Sequence, residues 1–148
     1  MRSIAIRIGI IAVIAIVGLV GRSYFSGNAG DLKVGDCFDL PSSTSTTVKD
    51  VQHHPCDQDH GAEVFFVGDY PGSKSDPVPT RDQFAEFATT TCATAYQTYT
   101  GTDITIEGDY DFSAFFPLDE GWKAGDQAIT CFLFRVDEAN FKGSLKKG

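Results

Sequence analysis

The stretch that most restricts the fold is Ala128-Ile-Thr-Cys-Phe-Leu-Phe134. Both of its alternating faces are apolar or small, so the period-two pattern of a half-wet strand is absent. A strand of that kind has to be covered on both sides, which makes it the central strand of a sheet. Trp122-Lys-Ala-Gly125-Asp126 leads into it and reads as a Gly-Asp turn. Leu32-Lys-Val-Gly35-Asp36-Cys37-Phe38 echoes that arrangement, with an apolar residue, Lys, a small apolar residue, Gly-Asp and then a cysteine.

The chain between these two copies reads as strands around one helix. Val34–Leu40 is a first strand, residues 41–47 a polar turn, and Thr47–Gln52 a segment able to pair back. Ala62–Val67 is the next strong strand, ended by Gly68-Asp69. Pro71, Gly72, Pro77 and Pro79 then exclude any regular element from the loop that follows. Thr80 is the expected N-cap of a helix, and Gln83 completes its capping box. Phe84, Ala88, Cys92, Ala95 and Tyr99 recur at helical spacing as the buried stripe, and Gly101 is the expected stop. Ile104-Thr-Ile106 reads as a short strand, and Phe112–Phe116 as a strand or packed loop. The fold class is α+β: a mainly antiparallel sheet with one long helix packed on it, two disulfides, and an N-terminal transmembrane helix in front.

That last element rests on Ile8–Gly21, an unbroken apolar run. Counted from Ile4 it is 18 residues, about the length that crosses the hydrocarbon core, and Arg7 can snorkel to the headgroups. Residues 1–22 are therefore read as a membrane anchor, with a cleavable signal peptide as the competing reading. Positive charge before the run places the N-terminus in the cytoplasm and the rest outside, as a single-pass protein of the cell membrane. Residues 23–31 read as a short Gly/Ser-rich tether and 32–145 as the exported domain.

Charge supports the division. Three of the twelve Lys and Arg lie in the first 30 residues, leaving nine against all twenty carboxylates in the remainder, a net charge of −11. Nucleic acid is excluded as a partner by this acidity, because its phosphates demand a basic footprint.

Cys37, Cys56, Cys92 and Cys131 are even in number and widely spaced, without a C-x-x-C pair for zinc or dithiol chemistry. An exported domain then implies two disulfides with three pairings open. The expected pairing is Cys37–Cys56, joining neighbouring strands, and Cys92–Cys131, tying the helix to the central strand.

A family resemblance is carried by Val34-Gly-Asp36-Cys37-Phe38, Val51, Cys56 and His60-Gly-Ala-Glu63-Val-Phe65. It continues through Phe84, Cys92, Tyr99 and Gly101 to Pro117, Trp122, Gly125-Asp126, Ile129-Thr-Cys131 and Gly143-Ser-Leu145. Over roughly residues 32–145 the chain resembles the exported domain of the actinobacterial septum formation family. The resemblance implies a membrane anchor and a role in cell division or envelope assembly, with no established reaction. It departs at Asp59-His60, where the family pattern has Pro-His; His60 and Glu63 stay in place.

His53, His54, Asp57, Asp59, His60 and Glu63 lie within eleven residues and are the one cluster able to ligate a metal or relay a proton. On a strand, His60 and Glu63 need not converge, and the simpler expectation is that they satisfy buried backbone or pair with each other beside the disulfide. Asp36 and Asp126 are expected to cap amides in their turns rather than to act as paired acids of a glycosidase. No G-x-S-x-G elbow is present. Trp122 and the Phe112, Phe115 and Phe116 group are expected in the core rather than on a recognition patch.

The function expected on these grounds is a non-enzymatic, membrane-anchored extracytoplasmic module. It would bind an envelope protein or wall component, without a cofactor or bound metal. The alternative is a metal-dependent or hydrolytic envelope enzyme centred on His60 and Glu63.

Overall fold

The computed structural model describes residues 27–42, 48–104 and 108–148. The anchor and the first part of the tether fall outside these residues, as do residues 43–47 of the polar turn and residues 105–106 of the expected short strand. Ile104 itself sits in a turn. Among the described residues no helix is long and apolar enough to cross a membrane.

The elements in chain order are β1 (Gly27–Asn28), β2 (Cys37–Phe38), β3 (Asp50–Val51), β4 (His53–His54), β5 (Ala62–Asp69), α1 (Arg81–Thr100), β6 (Tyr110–Phe115), α2 (Asp119–Ala124) and β7 (Ala128–Arg135). Five strands form an antiparallel sheet in the order β4-β2-β5-β7-β6, and β1 pairs with β3 in a two-stranded sheet of its own. The long strand β7 pairs with β5 on one side and β6 on the other. Its alternation sends Ile129, Cys131 and Leu133 to the helix face and Phe132 to the opposite layer. The doubly apolar strand is thus covered on both sides, as its composition demands.

On the helix face, Phe84, Ala88, Cys92, Tyr96 and Tyr99 of α1 meet Phe65, Trp122, Ile129, Cys131 and Leu133. The capping box is formed: Gln83 N donates to Thr80 Oγ1 at 3.3 Å, and Thr80 N donates to Gln83 Oε1 at 2.8 Å. Gly101 ends the helix in the left-handed region, φ 76°. Tyr96, not Ala95, is the fully buried member of the stripe. At 3.6 residues per turn Ala95 lies inside the arc of Phe84, Ala88, Cys92 and Tyr99 and Tyr96 at its edge, so it is the reach of the larger ring, packed on Phe65 and Phe112, that buries Tyr96. Ala95 only borders the core.

The other face is covered by Ala29, Leu32, Phe38, Val51, Ala62, Val64 and Phe132. Residues 27–31, read from sequence as tether, contribute here: β1 and a 3-10 turn over Ala29–Asp31 belong to the domain, with Ala29 buried. The first expected strand is shorter than Val34–Leu40, because Lys33–Asp36 forms a turn. The segment expected to pair back onto it divides. Asp50–Val51 joins β1, while His53–His54, beyond the expected limit, pairs with β2.

β6 is a strand, and its Phe112, together with Phe116, packs on the helix-face core. Phe115 packs on the opposite layer against Phe38 and Phe132. Trp122 is 1% exposed and lies in α2, a short helix where the sequence reading had only a turn. Its indole Nε1 donates to Asp76 O at 3.1 Å, fastening the proline-rich loop.

The two Gly-Asp sites do share a conformation. Gly35 and Gly125 have φ of 94° and 101°, a region costly for side chains bearing a Cβ. The Asp that follows each caps a local amide: Asp36 Oδ2 accepts from Lys33 N at 2.8 Å, and Asp126 Oδ1 accepts from Ala128 N at 3.0 Å. Each carboxylate serves its own turn.

Candidate functional site

Both expected disulfides are present, Cys37–Cys56 and Cys92–Cys131, with Cα–Cα distances of 5.3 and 5.9 Å. The second crosses from α1 to β7 through the helix-face core. The first leaves β2 beside the candidate cluster. Closing loops of these sizes stabilises by about 3 and about 4 kcal/mol respectively on the chain-entropy model.

Of the six residues in the His/Asp/Glu cluster, the fold brings two into the interior, His60 and Glu63, both 0% exposed. The register explains how. Cys37 and Glu63 are direct cross-strand partners on β2 and β5, so their side chains share a face. His60 sits two residues before β5 and bridges to Phe141, with His60 N donating to Phe141 O at 3.0 Å and Phe141 N donating to His60 O at 2.9 Å. The approach is close: a Cβ on Gly61 would lie 2.6 Å from Leu40 N, which reserves that position for glycine. His53 and His54 stay on β4 at the sheet edge, half-buried, with His54 Nε2 2.8 Å from Asp39 Oδ1.

Glu63 is a fastener. Its Oε1 accepts from Tyr99 Oη at 2.7 Å and from Ser144 Oγ, and its Oε2 accepts from Leu145 N at 2.8 Å. One buried carboxylate therefore ties the end of α1 and the C-terminal segment to the sheet. Hydrogen bonds to a charged acceptor are the stronger kind, and three of them offset the cost of burying the charge. Lys147 N adds a bond to Tyr99 O at 2.7 Å, and Gly143 N one to Cys56 O at 2.6 Å. Burial pushes the Tyr99 phenol above its ordinary ionisation range, and its bond to Glu63 pushes in the same direction.

Of the two outcomes expected for His60 and Glu63, bonds to buried backbone or to each other, the hydrogen bonds are to backbone at Leu145 N for Glu63 and at Gln58 O for His60, and Glu63 adds the hydroxyls of Tyr99 and Ser144. His60 Nδ1 is 2.9 Å from Gln58 O; its Nε2 is buried without a hydrogen-bond partner. Sequence reasoning did not foresee the partners Tyr99, Ser144 and Leu145 of Glu63, although all three lie among the residues that carry the family resemblance. Nothing in their spacing from Glu63 marks them as its donors.

Outside this interior, the second face of the sheet carries a cavity of about 480 Å³ lined by Leu40, Val48, Phe115, Phe132 and Phe134 among others. Asp36 is half-buried and Asp126 exposed, each in its own turn, and Trp122 is spent on the core.

Fold and site together define a disulfide-stapled α+β domain whose buried carboxylate holds its own C-terminal segment. Residues 34–147 match the family described as septum formation, and the chain belongs to that family. Membership supports a role related to cell division. No curated protein and no solved structure matches the chain.

Proposed function

We propose that the chain is a membrane-anchored, extracytoplasmic binding module that serves cell division by holding an envelope protein or wall component. Residues 1–22 are the anchor, with the N-terminus cytoplasmic and the domain outside. The observation that carries this reading is the septum formation match over residues 34–147. The apolar run Ile8–Gly21 and the basic residues around it support the anchoring. Two disulfides suit an oxidising compartment.

The alternative of a metal-dependent or hydrolytic envelope enzyme centred on His60 and Glu63 is disfavoured by their burial. Neither side chain offers a surface to a substrate, and Glu63 already accepts three hydrogen bonds.

The test is localisation of the full chain, fused at its C-terminus to an export-competent fluorophore, in dividing cells. Enrichment at the septum is expected, and it should vanish when residues 32–145 are replaced by an unrelated exported domain behind the same anchor. A uniform membrane signal from the intact chain would overturn the division role.

A further inference from the structure

We propose that Cys37, His60 and Glu63 form a buried, redox-gated site for a zinc-like divalent cation, closed while Cys37 is bonded to Cys56 and opened when that disulfide is reduced. The Cys37 sulfur, a ring nitrogen of His60 and a carboxylate oxygen of Glu63 all lie within 4.8 Å of one another. Ligands of a tetrahedral zinc, at about 2.0–2.3 Å from the ion, are about 3.3–3.8 Å apart. Closing the cluster onto a cation therefore needs side-chain shifts of about 1 Å.

Three features point to a cation rather than to chance proximity. The first is the orphan nitrogen. Gln58 O can only accept, so His60 Nδ1 carries the proton and neutral His60 presents a lone pair at Nε2. That lone pair is fully buried and meets no donor. An imidazole whose far nitrogen is held by a backbone carbonyl has the usual arrangement of a metal-binding histidine.

The second is charge. A thiolate and a carboxylate together balance a divalent ion, so the buried site is neutral when filled. Glu63 Oε2 accepts one hydrogen bond, from Leu145 N, and has a further lone pair for a metal.

The third is the asymmetry of the disulfide. Cys37 is 2% exposed, whereas Cys56 is half-buried, and the bond borders a surface cavity of about 390 Å³ lined also by Gly35, His53, His54 and Pro55. A thiol reductant attacks the outer sulfur, Cys56 Sγ. The Cys56–reductant bond forms, the S–S bond to Cys37 breaks, and the electron pair leaves on the inner sulfur as the Cys37 thiolate, beside His60 and Glu63. A second reductant thiol releases Cys56 as a thiol and leaves the reductant as its own disulfide. Cys92 and Cys131 are both 0% exposed, so the reductant reaches Cys37–Cys56 first.

The full chain is titrated with Co²⁺, a coloured stand-in for zinc, with and without a phosphine reductant dosed to free two of the four thiols. The reduced protein should bind one equivalent with a thiolate-to-cobalt charge-transfer band, displaced by Zn²⁺, and the oxidised protein should bind none. Cys56→Ser should bind without reductant, and His60→Gln in that background should weaken binding at least about tenfold. Failure of both reduced wild type and folded Cys56→Ser to bind would overturn the site, as would binding indifferent to His60→Gln. Should near-ultraviolet circular dichroism show Cys56→Ser unfolded, reduced wild type and reduced His60→Gln decide the matter between them.

Discussion

The two faces of the central sheet are made by the same strands yet are closed in different ways. On one, a twenty-residue helix lies along β5 and β7, a disulfide passes through the contact, and Glu63 gathers the helix end and the C-terminal segment. On the other, short pieces supply the cover: a 3-10 turn, two-residue strands and the rings of Phe38, Phe115 and Phe132, with a cavity left beside Phe134. A long helix buries area continuously and cooperatively, whereas short pieces bury it in patches. The helix face therefore holds the stability and the other face the looser packing.

Neighbouring residues on β7 measure that difference most directly. Leu133 is fully buried under the helix, and Phe134 is half-buried at the open layer. Leu133→Ala should cost about 3 kcal/mol and Phe134→Ala about 1–2 kcal/mol, read from urea melts under oxidising conditions. Equal losses would break the contrast.

Glu63→Gln sharpens it from the side of the polar network. With an amide nitrogen in place of Oε2, a donor would face the Leu145 N–H, and the charge that strengthens the Tyr99 and Ser144 bonds is gone. A loss of about 2 kcal/mol is expected, together with faster hydrogen exchange at the Leu145 amide. Unchanged exchange there would mean that the C-terminal segment is held by its other contacts.

The smallest effect belongs to the exposed turn after β7. Arg135 Nε and Nη2 donate to the two oxygens of Asp137 at 2.8 and 2.7 Å, which with the Ala139 amide lowers the Asp137 carboxyl to about 2. A carboxyl depressed by folding contributes stability above its unfolded value near 4, and that contribution is lost as pH falls from about 4 to about 2. Asp137→Asn should therefore match wild type at the acid end and fall slightly below it at neutral pH. A difference that grew as pH fell would reverse the assignment.

The helix was legible almost to the residue because its signals are local. Thr80, Gln83 and Gly101 act within a turn of themselves, and the stripe from Phe84 to Tyr99 repeats at the helical period. The disulfide pairing was legible because one pair lies close along the chain, from β2 to the turn after β4, and the other joins the helix to the strand it covers. The strands at the sheet edge were not, since β1 to β4 are two residues each and too short to show a period. Their partners depend on backbone groups far away in sequence. The trio of Cys37, His60 and Glu63 was half legible. The histidine and the glutamate stood out as a local cluster, but which of six residues would converge depended on the β2–β5 register and on the bridge to Phe141.

Sequence by itself determined the doubly covered central strand, the capped helix, the turns at Gly35-Asp36 and Gly125-Asp126, and the apolar run ahead of the domain. Each follows from interactions between residues close along the chain. Only the tertiary structure decided that Glu63 holds Tyr99, Ser144 and Leu145, that His60 Nε2 is buried without a partner, and that a ring nitrogen of His60 lies within 4.8 Å of the Cys37 sulfur. Those outcomes depend on contacts between residues up to 82 positions apart. Such contacts are set by strand register and the path of the C-terminal segment, which no local pattern encodes.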